Sequence, residues 1–147
     1  MAKDQQGLAL AGAAESAAAF DRAIADYYGL TGDPVGVLKP ALARDPGFAL
    51  GGVAIAALYM IGGFRGDHSE VVSALSAAEA AMGRASERER RHLAAAKAWA
   101  RGLTSQAIVA GRRFWPTIPP TRSPCGSFKT LISSLAGRPR SATAPSG

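Results

Sequence analysis

Apolar residues recur at helical spacing along most of the first hundred residues of the chain. In the first such stretch Phe20, Ile24 and Tyr27 fall on one side of a helix, and Gly29 is a natural stop after it. Similar faces follow four more times, each succeeded by a turn that contains glycine or proline. The pattern predicts five helices, near residues 13–28, 34–44, 48–60, 67–82 and 86–102.

Helix-start signals precede four of these five segments. Two are an aspartate followed by a proline, which suit the cap and the first helical turn, and two have the spacing of a capping box. The pairs are Asp33-Pro34, Asp45-Pro46, Asp67 with Glu70, and Ser86 with Glu89. Pro40 is expected either to kink the second helix or to move its start to about Lys39.

No stretch alternates between apolar and polar residues over a useful length, and no Asn-Gly or Asp-Gly turn joins two β-branched runs. The predicted fold class is therefore all-α, with short helices in antiparallel pairs. Alanine and glycine are frequent on the apolar faces, which allows helices to approach closely. This combination is typical of stacked helical repeats.

Residues 46–64 form a run of 19 residues without a charge. The length is near that of a membrane span, and Gly47 and Gly51 form a G-x-x-x-G pattern. However, five of these residues are glycine and four are alanine, and both flanks carry an arginine and an aspartate. The pattern favours a helix buried between two neighbours over a membrane anchor.

The charge and the prolines divide the chain in two. Residues 1–102 hold 11 Lys/Arg and 11 Asp/Glu, whereas residues 103–147 hold 6 Lys/Arg, no acidic residue and six of the nine prolines. We expect a flexible amino terminus at 1–12, helical repeats at 13–102 and a largely disordered basic tail at 103–147. Asp4 and Glu15 argue against a secretory signal, so the expected location is cytoplasmic.

The sequence contains no constellation of residues typical of catalysis. His68 and His92 are its only histidines and Cys125 its only cysteine. His68 lies in a turn without the paired ligands of a stable metal site, and His92 has no nucleophile near it in sequence, which favours a surface or interhelix role. We therefore predict a non-enzymatic protein with no catalytic, cofactor-binding or metal-binding residue.

One short stretch resembles the junction between tetratricopeptide repeats. In "LKPALARDPGFALGG", from Leu38 to Gly52, Asp45-Pro46 would end one helix pair and open the next, and Phe48 would seat the new helix. More broadly, residues 13–102 resemble the tetratricopeptide-repeat protein 38 family. The segments that carry the likeness are "FDRAIADYYGLTGDP", "ALARDPGFALGGVAIAALYMIGG" and "ERERRHLAAAKAWARG". A regular array with a period of about 34 residues would place a proline near Ala80, where there is none, so the repeats are degenerate.

This resemblance implies a right-handed tetratricopeptide-like solenoid that binds an unknown protein or peptide. Self-association through exposed helix faces is a further expectation, because each helix pair cannot bury its own apolar face. Two alternatives come from other classes. One is a small membrane protein anchored by residues 46–64, and the other is a nucleic-acid or anionic-surface binder that uses the basic tail. Specific nucleic-acid recognition is not expected, because the cations of the tail are scattered.

The family pattern continues with a helix, "D-H-P", another helix and a "D-F/Y-F-x-L-G" end, none of which the tail contains. Read one base out of frame, permitted codons from Arg113 to Gly137 can encode "LLADHPADALALRLVQDLDFFLG" followed by arginine. We therefore expect a frame shift between Leu103 and Arg112, so that the chain is the amino-terminal part of a longer repeat protein. The alternative is a genuine disordered basic tail.

Sequencing the gene through codons 100–147 and several hundred bases beyond tests this expectation. The shifted frame should encode the "DHP" and "DFFLG" segments and then stay open. Stop codons or unrelated residues in that frame would mean that the basic tail is genuine.

Overall fold

The computed structural model of the protein describes residues 2–5, 7 and 9–103. Within these residues the chain forms five α-helices, which confirms the all-α prediction, and helix starts and ends lie close to those predicted. The helices are α1 (Ala14–Gly29), α2 (Pro34–Arg44), α3 (Ala49–Ile61), α4 (Ser69–Ala80) and α5 (Glu87–Ala100), with a 3-10 turn at Ala81–Gly83 before α5. The expectations for the tail lie outside the described residues, apart from Leu103.

A short β-hairpin precedes α1. Strands β1 (Ala2–Lys3) and β2 (Ala9–Leu10) pair antiparallel, with Ala2 opposite Leu10. The side chain of Leu10 is fully buried, and Asp4 is 6% exposed. The sequence predicts a flexible segment at 1–12; among its described residues Asp4, Leu10 and Ala11 are buried, and the others are partly or fully exposed. Two-residue strands have no periodicity that a sequence pattern could show.

Helix α3 lies at the centre of the helix array. It contacts α2, α4 and α5, and ten of its 13 residues are buried. The uncharged run at 46–64 is therefore a buried helix with its flanking turns, as the composition favoured. No described helix combines the length and the apolar character that a membrane crossing requires.

The carboxylate of Asp45, in the turn between α2 and α3, links this turn to the start of α1. Asp45 Oδ2 accepts hydrogen bonds from the Ala13 N–H and the Ser16 hydroxyl, both at 2.7 Å, and Oδ1 accepts from the Gly47 N–H at 3.1 Å. The Ser16 hydroxyl and the Ala13 N–H hold the pKa of Asp45 below its ordinary value. Asp45 was expected to cap α3, but it ends α2 and stabilises the start of α1 instead, and Phe48 is the N-cap of α3.

The other helix starts follow the sequence signals with one further correction. Ser86 and Glu89 form the predicted capping box, and Asp33 accepts from the Gly36 N–H at 2.9 Å. At α4 the cap is His68 rather than Asp67, because its Nδ1 accepts from the Glu70 N–H at 3.3 Å. Helix α2 begins at Pro34 and continues through Pro40, which is exposed, so its start does not move to Lys39.

Helices α3 and α4 approach each other through a glycine. A Cβ atom added to Gly52 would lie 2.6 Å from the Ala74 carbonyl oxygen and 3.0 Å from the Ala78 Cβ. The nearest obstacle is backbone, which cannot rotate away as a side chain can. Gly52 therefore fixes the closest separation that this helix pair can reach.

We predict that Gly52→Ala lowers the free energy of unfolding by about 1–2 kcal/mol, measured by urea denaturation. Overpacking of the α3–α4 contact costs about 1–3 kcal/mol, and the higher helix propensity of alanine recovers only part of it. Gly83→Ala is the matched control, because no atom lies within 4 Å of its added Cβ, and its effect should stay within about 0.5 kcal/mol. Equal stability of the two variants would contradict the close contact.

Candidate functional site

The helix array has two different edges. The amino-terminal ends of α1, α3 and α5 lie together, since Asp45 binds the start of α1, and Ala49 of α3 packs with Ala85 just before α5. The opposite edge, here called the carboxyl edge, holds the last turns of these three helices and the residues that follow them. Four of the five exposed large apolar side chains of the described residues lie there: Tyr28 (55% exposed), Leu30 (92%), Phe64 (46%) and Leu103 (43%).

A cleft of about 430 Å³ opens at this carboxyl edge, between the α3–α4 turn and the end of α5. Phe64 and Met60 line it from the side of α3, and Trp99 lines it from α5. Arg65 and Asp67 of the turn and Arg101 after α5 surround these apolar side chains. No pattern in the sequence predicts this cleft.

The cleft exists because the α3–α4 turn is packed tightly against the end of α5. A Cβ added to Gly66 would overlap the Ala100 carbonyl oxygen. Only glycine allows the two backbones to approach this closely. The contact joins two residues that are far apart in sequence, so neither carries a local signal of it.

The charges around the cleft are two cations and one anion. Arg65 Nε lies 3.3 Å from Asp67 Oδ1, and both side chains are largely exposed. Arg101 is exposed, and no side-chain ion pair joins it to another described residue. Because a guanidinium carries five N–H donors in a planar fork, both arginines retain donors for a carboxylate.

None of the described lining residues is a serine, threonine, cysteine or histidine. Tryptophan and arginine are among the residue types that carry most of the binding energy in protein interfaces, and other aromatic residues and methionine are enriched there. The arrangement is therefore suited to receive an apolar side chain with an acidic group beside it.

An aromatic cluster supports the α3–α4 turn next to the cleft. The ring centroids of Tyr59 and Phe64 are 5.3 Å apart, and the His68 ring lies 4.7 Å from Phe64 and 6.0 Å from Tyr59. Lys39 Nζ sits 5.4 Å from the centre of the Tyr59 ring and 2.7 Å from Glu70 Oε2. The hydrogen bond to Glu70 raises the pKa of Lys39 to about 12, and the same bond lowers the pKa of Glu70.

His68 thus caps a helix and packs on aromatic rings. His92 lies elsewhere, on α5, where it is 5% exposed and its Nε2 has no hydrogen-bond partner among the described residues. Burial, and then the positive charge of Arg88, lower the pKa of His92 to about 4. The described residues contain no group of three His, Cys, Asp or Glu side chains that could hold a metal ion. Cys125 lies outside the described residues.

In comparisons with known protein families, curated proteins and solved structures, no significant match to this chain was found. The likeness to the tetratricopeptide-repeat protein 38 family therefore stays a prediction that rests on the motifs quoted above.

We predict that Gly66→Ala separates the α3–α4 turn from α5 and exposes Trp99 to water. The fluorescence emission of Trp99 should shift to longer wavelength, and the free energy of unfolding should fall by about 1–3 kcal/mol. The measurement uses a Trp115→Phe background, which leaves Trp99 as the only tryptophan. Gly83→Ala in the same background serves as control, and an unshifted spectrum for Gly66→Ala would contradict the close packing at Ala100.

Proposed function

We propose that this chain is a non-enzymatic helical-repeat protein of the tetratricopeptide type that binds a peptide or protein segment at its carboxyl edge. The observation that carries the proposal is the cleft beside Trp99, which half-exposed Phe64 and the two arginines Arg65 and Arg101 also line. The expected ligand is an extended segment that inserts an apolar side chain and places a carboxylate on Arg65 or Arg101.

The order of helix contacts supports the repeat assignment. α1 packs on α2, α2 on α3, α3 on α4 and α4 on α5, so each helix contacts its neighbour in sequence. The additional contact of α3 with α5 joins helices in equivalent positions of successive pairs. Helices α1, α3 and α5 begin at residues 14, 49 and 87, close to the tetratricopeptide period of about 34 residues. A right-handed solenoid that belongs to the tetratricopeptide-repeat protein 38 family accounts for this order and for the junction at Asp45-Pro46.

The distribution of exposed apolar side chains supports the binding edge. Leu30 is 92% exposed. It also adopts a left-handed backbone conformation with φ of 53°, which is unfavourable for a branched side chain. A leucine at this position buries almost nothing within the chain, and glycine would fit the backbone better. Contact with a partner along the carboxyl edge would bury the exposed side chains of Leu30 and Tyr28.

We include a cytoplasmic location in the proposal, based on the charged residues near the amino terminus.

Selection of peptides by the full-length protein tests the proposed function. A library of random 12-residue peptides displayed on phage is selected on the immobilised protein, and enriched sequences are synthesised with a fluorescein label. We expect a shared motif that contains a large apolar residue, and binding that fluorescence anisotropy can measure. Failure to enrich any shared motif would contradict peptide binding.

We predict that Phe64→Ala and Arg101→Glu each weaken the binding of an enriched peptide at least fivefold, or by about 1 kcal/mol. Each variant has a matched control away from the cleft. Val72→Ala removes another half-exposed apolar side chain, from α4, and Arg90→Glu reverses another exposed charge, on α5. The controls should bind within twofold of the unaltered protein. Equal losses in a variant and its control would place the binding surface elsewhere.

A further inference from the structure

The carboxyl edge carries a projecting turn as well as the cleft beside Trp99. This turn joins α1 to α2, and at its start the side chains of Tyr28 and Leu30 are exposed to solvent, Leu30 almost completely. The remaining exposed large apolar residue away from this edge is Val72 of α4, among the residues described. Apolar side chains that are exposed together on one edge indicate a surface that contacts a partner.

The backbone of this turn is held by hydrogen bonds on both sides of Leu30. The Leu30 N–H donates to the Tyr27 carbonyl oxygen at 3.3 Å, and the Thr31 N–H donates to the Asp26 carbonyl oxygen at 2.9 Å. These bonds close the end of α1 and keep Leu30 in its left-handed conformation. Because the backbone is already ordered, a partner that binds Leu30 has little conformational entropy to remove from the turn.

The charges beside Leu30 are mainly negative. Asp33 follows Leu30 by three residues and is exposed, and its Oδ1 caps α2. Asp26 precedes Leu30 by four residues, and its carboxylate lies against Gly32 of the same turn. Arg22 Nε lies 3.9 Å from Asp26 Oδ2, one helical turn further back. The turn therefore presents an apolar side chain between two carboxylates.

The cleft has the complementary properties. Its volume of about 430 Å³ accommodates a leucine side chain, and Arg65 and Arg101 line it with charges opposite to those of Asp26 and Asp33. No residue of the α1–α2 turn lines the cleft of its own chain. The cleft lies between the α3–α4 turn and the end of α5, whereas the projecting turn belongs to α1 and α2, so the two features are separate parts of one edge.

We propose that the partner of the cleft is a second copy of this chain, whose α1–α2 turn inserts Leu30 beside Trp99 and places Asp33 near Arg65 or Arg101. The inference rests on the binding function proposed above and names the partner of that same site. Because the turn and the cleft lie on one edge, a single two-fold axis can place each turn in the cleft of the other copy. The assembly is then a closed dimer with two equivalent contacts and does not grow into a chain.

Sedimentation equilibrium of the full-length protein, from about 5 to about 500 µM, tests the dimer, since contacts limited to one edge give weak association. The weight-average mass should rise with concentration from 15.1 kDa toward twice that value. High salt should weaken the association, because exposed charge pairs are screened. A constant mass of 15.1 kDa would overturn the second-copy contact without affecting peptide binding, and growth beyond the dimer would overturn the closed arrangement.

Leu30→Gly removes the projecting side chain without disturbing the fold, because glycine suits the left-handed backbone at this position. We expect the association constant to fall at least about 25-fold, which is fivefold for each of the two equivalent contacts. Leu30→Asn, which also tolerates this conformation, should have a similar effect if the turn stays ordered. Val72→Ala is the matched control and should associate within about twofold of the unaltered protein. Undiminished association of Leu30→Gly, or an equal loss in Val72→Ala, would contradict the proposal.

Mixing two variants tests the reciprocal insertion. Leu30→Gly lacks the projecting side chain and Phe64→Ala lacks part of the cleft, so a dimer of either variant has two damaged contacts. A mixed dimer keeps one intact contact, between Leu30 of one chain and the cleft of the other. In sedimentation velocity with one variant labelled, the mixture should associate about fivefold more tightly than either variant alone. Absence of this gain would rule out the exchange of turns.

Peptide binding separates this inference from the function on which it rests. Leu30→Gly keeps its cleft, so an enriched peptide should bind it as tightly as it binds the unaltered protein at low protein concentration. The same peptide should dissociate the dimer of the unaltered protein, because both ligands occupy the cleft. A peptide that binds while the dimer persists would overturn the second-copy contact at the cleft. A dimer that forms although no peptide is enriched would contradict peptide binding alone.

Discussion

The structure depends on the burial of α3 on nearly every side. A helix that is enclosed by neighbours has no face for charged residues, and its neighbours approach only where its side chains are small. Gly52 allows the backbones of α3 and α4 to come into contact, and the alanines of α3 allow the adjoining helices to pack closely. The apolar area that α3 removes from water is the main source of stability available to a chain of this size. The outer helices are held in position because they cover the apolar surface of α3.

The two edges of the helix array, which lie at the two ends of this central helix, are stabilised differently. At the edge where α1, α3 and α5 begin, polar side chains stabilise the helix starts: Asp45 binds the start of α1, and Ser86 with Glu89 caps α5. Glu89 has a double role, because one carboxylate oxygen serves the cap and the other accepts a hydrogen bond from the Ala11 N–H. At the carboxyl edge no comparable polar closure is present among the described residues, and large apolar side chains are exposed. The proposed binding cleft therefore lies at the edge that polar side chains do not close.

Local signals predicted the helices because each signal consists of only a few adjacent residues. The capping box at Ser86 is such a signal, and α5 begins where it indicates. Helix α1 also ends near the expected Gly29, but its left-handed cap is Leu30 and not that glycine. Asp45 shows the limit of this reasoning. Asp-Pro before an apolar run indicates a cap for the next helix, but the carboxylate binds Ala13 and Ser16, about thirty residues earlier, because α1 and α3 begin side by side. The amino-terminal hairpin and the cleft depend on similar distant pairs, Asp4 with Arg88 and Gly66 with Ala100, which no periodicity reveals.

The buried pair of Asp4 and Arg88 contributes more to the alignment of the amino-terminal hairpin than to overall stability. Two charges taken out of water lose hydration that their attraction roughly replaces, so an apolar pair of similar volume would hold the hairpin at least as well. An apolar contact, however, would tolerate a shift in register, whereas the ion pair and the bond from the Ala11 N–H to Glu89 fix one alignment of a very short hairpin.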